Sequence, residues 1–237
     1  VVGALALVRR DGVATVGVVS LETGAITDVT LSGPVSDLDL TPLGDRAVAV
    51  VRSTGQVALL PVPGIATAPG TFDQTTLTGE NVGSVSITSG GNLGLLYTNA
   101  VPVERLSILT LGPPLTYRTV KVYAPVFSVH PAPDAAHAVV LHPPAAGEGA
   151  NAFSLVPTAA VLPARIVSID APPFAVAMTN DRAVVAERSD TAKVYGVHVA
   201  KMPELTSTRY ELASPPSAAG VITSVRLAYV AQKHPEG

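Results

Sequence analysis

The strongest constraint on this chain is a register that returns every 43 to 46 residues. An apolar run at Ala4–Val8 recurs at Ala47–Val51, Leu93–Tyr97, Ala138–Leu141, Ala183–Ala186 and Leu227–Ala231, in steps of 43, 46, 45, 45 and 44. A short repeat of this kind cannot bury its own apolar faces and must stack against neighbouring copies. A period of this length, built from short strands, predicts an all-β fold, a β-propeller of four-stranded antiparallel blades. Six to eight blades are expected in the full protein, with seven favoured, and about five to six of them are represented here. The repeat makes residues 1–237 a single propeller domain. Both of its ends fall inside blades, as expected for a fragment of a longer chain.

The clearest repeat predicts strand A at Ser36–Leu40, strand B at Arg46–Arg52, strand C at Gln56–Val62 and strand D at Gln74–Leu77. These segments are rich in Val, Leu and Thr, and Gly, Pro, Asn and Asp punctuate them. Strand B is apolar at every position rather than alternating, which signals a strand covered on both faces. Three further blades are expected over 84–123, 126–169 and 174–212. The chain opens with strands B, C and D (Ala4–Val8, Thr15–Ser20, Ile26–Leu31) and closes with A and B (Gly220–Thr223, Leu227–Ala231), followed by a turn at His234–Gly237.

Composition narrows function by exclusion. Only 14% of residues are charged and the net charge is -3, which argues against nucleic acid as a partner, since that needs a concentrated basic surface. There are no cysteines, so disulfides, thiolate catalysis and zinc–thiolate sites are excluded. Aromatic residues are scarce, which leaves Val, Ala and Leu to pack the core. The balance of Arg over Lys, with abundant Ala, Val, Gly and Pro, resembles a protein from a GC-rich bacterium. No apolar run is long enough to span a bilayer uninterrupted by Pro, Gly or charge, and an export signal would have to lie outside this segment.

The A-to-B turn and its flanking strands, Thr41-Pro42-Leu43-Gly44-Asp45-Arg46-Ala47-Val48-Ala49-Val50, resemble the Ser-Pro-Asp-Gly turn of bacterial propellers of the YVTN, TolB and lactonase type. The C-to-D hairpin from Val18 to Ile26 fits the same pattern. The corresponding turns at Thr88–Asn92, His130–Asp134 and Thr179–Arg182 are eroded versions of it. The resemblance implies a fold rather than an activity, because such propellers serve as scaffolds, ligand binders and hydrolases.

Familiar catalytic motifs are missing: there is no G-x-S-x-G elbow, P-loop, H-E-x-x-H or EF-hand loop. Three histidines, His130, His137 and His142, fall in one repeat, but His137 and His142 lie at opposite ends of one strand, roughly 16 Å apart at the strand rise. No metal site and no cofactor are expected. Asp37 and Asp39 alternate in strand A and share a face, a spacing that suits a cation or an acid/base pair and equally suits a solvated strand.

The charges give the one site expectation. Five residues past the anchors stand Arg9, Arg52, Thr98, Pro143, Arg188 and Gln232. Arg9, Arg52 and Arg188 are therefore expected at B-to-C turns on one face, with Arg10 and Glu187 beside them as binding residues. Asp11, Glu104, Arg105, Glu148, Asp190, Lys233 and His234 lie near. An arginine fork there would suit a carboxylate-bearing partner. The apolar loops Pro61–Ala66 and Leu155–Pro163 are either covered by a partner or folded back over their own blades. The expected function is a non-enzymatic scaffold or binding module with a protein partner, in a larger bacterial assembly at the periplasm, at the cell surface or secreted. The alternative is a propeller hydrolase of lactonase or esterase type with carboxylates or a cation at the channel mouth.

Overall fold

A computed structural model of the chain describes residues 4–144, 150–159, 162–225 and 227–233. The predicted strands form in sequence order. A three-stranded sheet carries β1 (Leu5–Arg9), β2 (Thr15–Ser20) and β3 (Ile26–Thr30). Four sheets of four strands follow: β4 (Asp37–Leu40) to β7 (Asp73–Thr76) through β5 (Arg46–Val51) and β6 (Gln56–Pro61); β8 (Ser84–Ile87), β9 (Leu93–Tyr97), β10 (Arg105–Thr110) and β11 (Thr116–Lys121); β12 (Ser128–Pro131), β13 (His137–Leu141), β14 (Asn151–Pro157) and β15 (Arg165–Ile169); and β16 (Pro173–Met178), β17 (Arg182–Ser189), β18 (Val194–Lys201) and β19 (Thr206–Glu211). A two-stranded sheet of β20 (Pro216–Ile222) and β21 (Leu227–Gln232) closes the order. These pairings join consecutive strands and are antiparallel. The protein is an all-β propeller, and its sheets are blades 1 to 6 below. The chain divides into two compact units, Val1–Val101 with Leu106–Thr119, and Pro102–Arg105 with Val120–Gly237.

Strand B reads as continuously apolar because each of its faces meets a different partner. In blade 2, Ala47, Ala49 and Val51 pack with Val16, Val18 and Val29 of blade 1. Val48 and Val50 turn the other way, to Val85, Leu96 and Leu109 of blade 3. All five residues are fully buried. In the second unit, Ala183 and Val185 of β17 pack on Val139, Phe153 and Leu155 of blade 4.

The A-to-B turn is locked by a threonine. Thr41 Oγ1 donates to Asp45 Oδ1 at 2.6 Å and accepts the Arg46 N–H at 3.2 Å. Two of the three turns that look eroded in sequence keep this lock: Thr88 holds Asn92 and Leu93, and Thr179 holds Asp181 and Arg182. Gly44 and Gly91 take positive φ within the turn, a conformation glycine adopts without steric cost. The loop Pro61–Ala66 folds back over its own blade. It forms a 3₁₀ turn at Gly64–Ala66 that buries Ile65 and Val62 in the blade 1–blade 2 core. In the Leu155–Pro163 loop, Leu155 and Val156 are core residues of β14 and Leu162 is exposed, while Ala160 and Val161 lie outside the described residues.

Val50→Asp places an unpaired carboxylate in a fully dry inter-blade layer. The expected cost is at least about 3 kcal/mol, read as a large fall in melting temperature. An unchanged melting curve would contradict the two-faced burial of β5.

Candidate functional site

Hydrogen-bond closure of each hairpin gives the exact register. Val62, Leu111, Thr158 and Met202 donate their N–H to the carbonyls of Asp45, Asn92, Ala136 and Asp181, and Leu21 donates to Ala4. Those five carbonyls are equivalent positions. Arg52 and Arg188 then share one ladder position, seven residues on. Lys233 joins them, because Lys233 N–H meets Pro215 O as Arg188 N–H meets Pro172 O. Arg9 falls two places earlier, at the position of Val50, and pairs with Val16 inside the β1–β2 ladder. An anchor placed by apolar runs slips here because strand B is apolar throughout.

The three arginines turn toward the start of the following blade. Arg9 Nη1 donates to Val35 O at 3.1 Å and stands 3.6 Å from Asp11. The Arg52 guanidinium lies against Gly83, where a Cβ would collide with it. Arg188 donates to Pro216 O at 3.2 Å, grips Asp190 through Nε at 3.0 Å and Nη2 at 2.5 Å, and covers the Phe174 ring at 5.6 Å. The donors of Arg9 and Arg188 serve backbone carbonyls and local acids.

Glu187 requires a correction. It is not an exposed loop residue: it lies inside β17 and its side chain is 0% exposed. The odd-numbered residues Ala183, Val185 and Glu187 face the preceding blade, and Glu187 carries that buried row to its polar end. Oε2 accepts the N–H groups of Asp170 (2.9 Å) and Ala171 (3.0 Å), in the crossover leaving blade 4. Oε1 accepts Arg209 Nε at 2.5 Å, and Arg209 also reaches Asp170 at 3.2 Å. His198 Nε2 stands 3.6 Å from Oε2, beyond a direct hydrogen bond, with its ring edge-on to Phe153. Burial by itself would raise the Glu187 carboxyl; His198, Arg209 and the Ala171 N–H outweigh it and hold the pKa at about 2.

The same position recurs as a polar clasp on the preceding crossover. In blade 4 it is His142, whose Nδ1 meets Pro125 O at 2.7 Å and whose Nε2 meets Ser154 Oγ at 2.8 Å. Burial lowers the pKa of this ring, so the neutral form donates from Nδ1 to the carbonyl. In blade 6 it is Gln232, whose Oε1 accepts Ser214 N–H at 3.3 Å. In blade 2 the position is Val51, and its ladder partner Gln56 takes the role, accepting Ser32 N–H at 3.1 Å and donating to Gln74 at 2.5 Å. In blade 1 it is Arg10, exposed and bonded to Thr15 and Asp28. Sequence reasoning missed Gln56, His198, Arg209 and Gln232. A polar residue ending an otherwise apolar strand B was a signal for Gln232 alone; Gln56, His198 and Arg209 stand on β6, β18 and β19, where no such signal marks them.

Asp37 is also an inter-blade tie: Oδ2 accepts Val85 N–H of blade 3 at 2.8 Å and Oδ1 accepts Leu38 N–H at 3.0 Å. Asp39 is exposed and accepts Leu40 N–H. His130 meets Ser128 Oγ at 3.0 Å. Among the described residues, no three His, Asp or Glu side chains gather closely enough to hold a metal ion. Glu148 and His234 lie outside the described residues.

No protein-family model matches the chain, and no curated protein matches it in sequence. Solved structures match it in fold. It is similar to hydrazine synthase of Kuenenia stuttgartiensis at 12% identity and a TM-score of 0.59, over 96% of this chain and 70% of that one. It is similar to the dihydro-heme d1 dehydrogenase NirN at 14% identity and 0.58, over 90% and 45%. It is similar to a chain of the mitotic checkpoint complex at 10% identity and 0.58, over 98% and 70%. At these identities the likeness establishes the fold alone.

The depressed Glu187 pKa carries a definite pH signature. A folded-state value below the ordinary 4.5 means that the carboxylate stabilises the fold above about pH 4.5 and that the contribution is lost as pH falls toward 2. The full contribution is on the order of 3 kcal/mol. Denaturant melts of the native chain and of Glu187→Gln should differ most above pH 5 and converge near pH 2. Gly196→Ala should reproduce the loss, because its methyl would collide with Glu187 Oε1 and stand 3.1 Å from Arg209; a neutral Gly196→Ala would contradict the clasp geometry.

Proposed function

We propose that this chain is a non-enzymatic propeller binding module that engages a protein partner within a larger extracytoplasmic assembly. The carrying observation is where the aromatic rings lie. The chain has only six tyrosines and four phenylalanines, yet Tyr117, Tyr123, Phe127, Phe174, Tyr210 and Tyr229 are exposed. Val, Ala and Leu fill the core, with Phe153 as its fully buried ring. Rings on a surface supply large contact area at low entropic cost and are enriched where proteins bind one another. In the second unit, Tyr123 lines an open apolar groove of about 510 Å³ with Leu162, Arg165, Ile166 and Leu205.

Two further points support the reading. The charged residues with the best motif spacing, Asp37, Glu187 and Arg188, are engaged in ties between blades. One fold neighbour is a chain of a multiprotein complex. The extracytoplasmic setting rests on the resemblance of the Thr41–Val50 turn to YVTN and TolB propellers.

Replacing Tyr123, Phe127, Phe174 and Tyr210 together with serine should shift the protein, extracted natively from its source cells, from a large species to a smaller one on size exclusion. The melting temperature should hardly move, since exposed substitutions away from the core cost within about 0.5 kcal/mol each. An unchanged elution position with an unchanged melt would overturn the reading.

A further inference from the structure

We propose that the groove beside Tyr123 seats an extended segment of the partner protein, which adds to the outer edge of β15 as a further strand and sets an acidic residue opposite Arg165. This assignment rests on the binding-module reading and gives the chemistry of one of its contacts. β15 is the last strand of its sheet and pairs with β14 alone. Alternate residues of such a strand direct their N–H and C=O groups away from the sheet. The groove lies at that edge: Arg165 and Ile166, two of its walls, are the first two residues of β15.

The groove straddles the edge. Successive strand residues stand on opposite faces. Arg165 shares its face with Val167 and Ile169, which pack toward blade 5 together with Leu205. Ile166 takes the other face with its ladder partner Ser154, whose hydroxyl donates to Val122 O at 3.2 Å, in the crossover that carries Tyr123. Glu204 and Leu205 therefore flank the edge on one side and Tyr123 on the other, all within the second unit. An added strand sends alternate side chains to both faces of a sheet and fills both sides. A docked helix presents one stripe and fills one.

Backbone strain marks the same place. Leu21 and Met202 are equivalent, since their N–H groups close their hairpins on Ala4 and Asp181. Three residues further on, Gly24 and Leu205 both take the left-handed conformation, with φ of 72° and 51°. Glycine does so without steric cost and leucine does not. Leu205 rests partly on the blade 4–blade 5 core and also lines the groove. Tyr123 holds φ of 63°. Strained non-glycine residues gather where ligands are held.

Charge selects the segment. Among the described residues no hydrogen bond or ion pair holds Arg165 or Glu204, whereas Arg46, Arg182, Arg188 and Arg209 are each held by a carbonyl or an acid. Lys121 stands 4.9 Å over the Tyr123 ring and adds a second cation. A residue opposite Arg165 on an added strand comes within direct reach of the guanidinium, which favours a carboxylate. Its neighbour in the segment turns to the Ile166 and Tyr123 side, which favours a bulky apolar side chain.

The protein and its Arg165→Glu variant are each immobilised and panned with phage-displayed random dodecapeptides. Both should melt alike, since Arg165 is exposed. The unaltered protein should enrich sequences with an aspartate or glutamate next to a bulky apolar residue, and Arg165→Glu should exchange that acid for lysine or arginine. A synthetic peptide of the enriched sequence, labelled with fluorescein, is then N-methylated at one backbone amide at a time and titrated with the unaltered protein. Methylation should weaken binding at least about tenfold at every second amide, whose N–H faces β15, and by less than about twofold at the amides between. No enrichment, an acid retained by Arg165→Glu, or equal losses at consecutive amides overturns the proposal. A dimer that grows with concentration and that Arg165→Glu abolishes assigns the edge to a second copy and also overturns it. Any of these results with the elution shift of the four-ring variant intact removes this contact and leaves the binding-module reading standing.

Discussion

Burial of strand B on both faces is the constraint from which the rest of the structure follows. A strand sandwiched between two neighbours gains apolar burial twice, as Ala47–Val51 does with blades 1 and 3. It also carries its ends, and the crossovers beside them, into a poorly hydrated region. Backbone N–H and C=O groups there need partners, since leaving one unpaired costs about 1–3 kcal/mol. The clasp residues meet that need. Glu187, Gln232 and Gln56 satisfy crossover N–H groups, and His142 satisfies a crossover carbonyl.

The clasp position tolerates different chemistry because its task is set by the crossover backbone. An amide serves when one N–H is presented, a carboxylate when two are, and a neutral imidazole when a carbonyl is. The carboxylate is the demanding case. A buried anion stabilises only when it is paired and fully hydrogen-bonded, and Glu187 has two backbone N–H groups and the Arg209 guanidinium. Gly196 belongs to the same arrangement, since the space a side chain would fill is taken by the carboxylate and the guanidinium.

Arginines at the blade ends act in the other direction. Arg9 and Arg188 reach forward to Val35 and Pro216 at the start of the next blade, whereas the clasps reach back. Asp37 adds a forward tie from strand A to Val85. A chain with few charges thus uses several of them to bind blades together. Its aromatic rings are left to shape the surface.

The sequence by itself determined the strand order, the strand type and the blade period. Each of these depends on local patterning: β-branched and apolar runs of five or six residues, turn residues between them, and a spacing that repeats. The strand limits agree with the pattern to within a few residues, as at β5 and β17. Tertiary structure decided which charged residue does what. Glu187 reads in sequence as one more charge near a turn, yet its ladder position buries it, because one residue of shift in a strand exchanges one face for the other. The same parity separates Arg188, which reaches the following blade, from its neighbour Glu187, which faces the preceding one. Apolar content could not fix that parity, since strand B is apolar on both faces. Only the hydrogen-bond register, set by how each strand pairs with the next, assigns each side chain to a side, and with it the partners of Arg10, Gln56, His198 and Arg209.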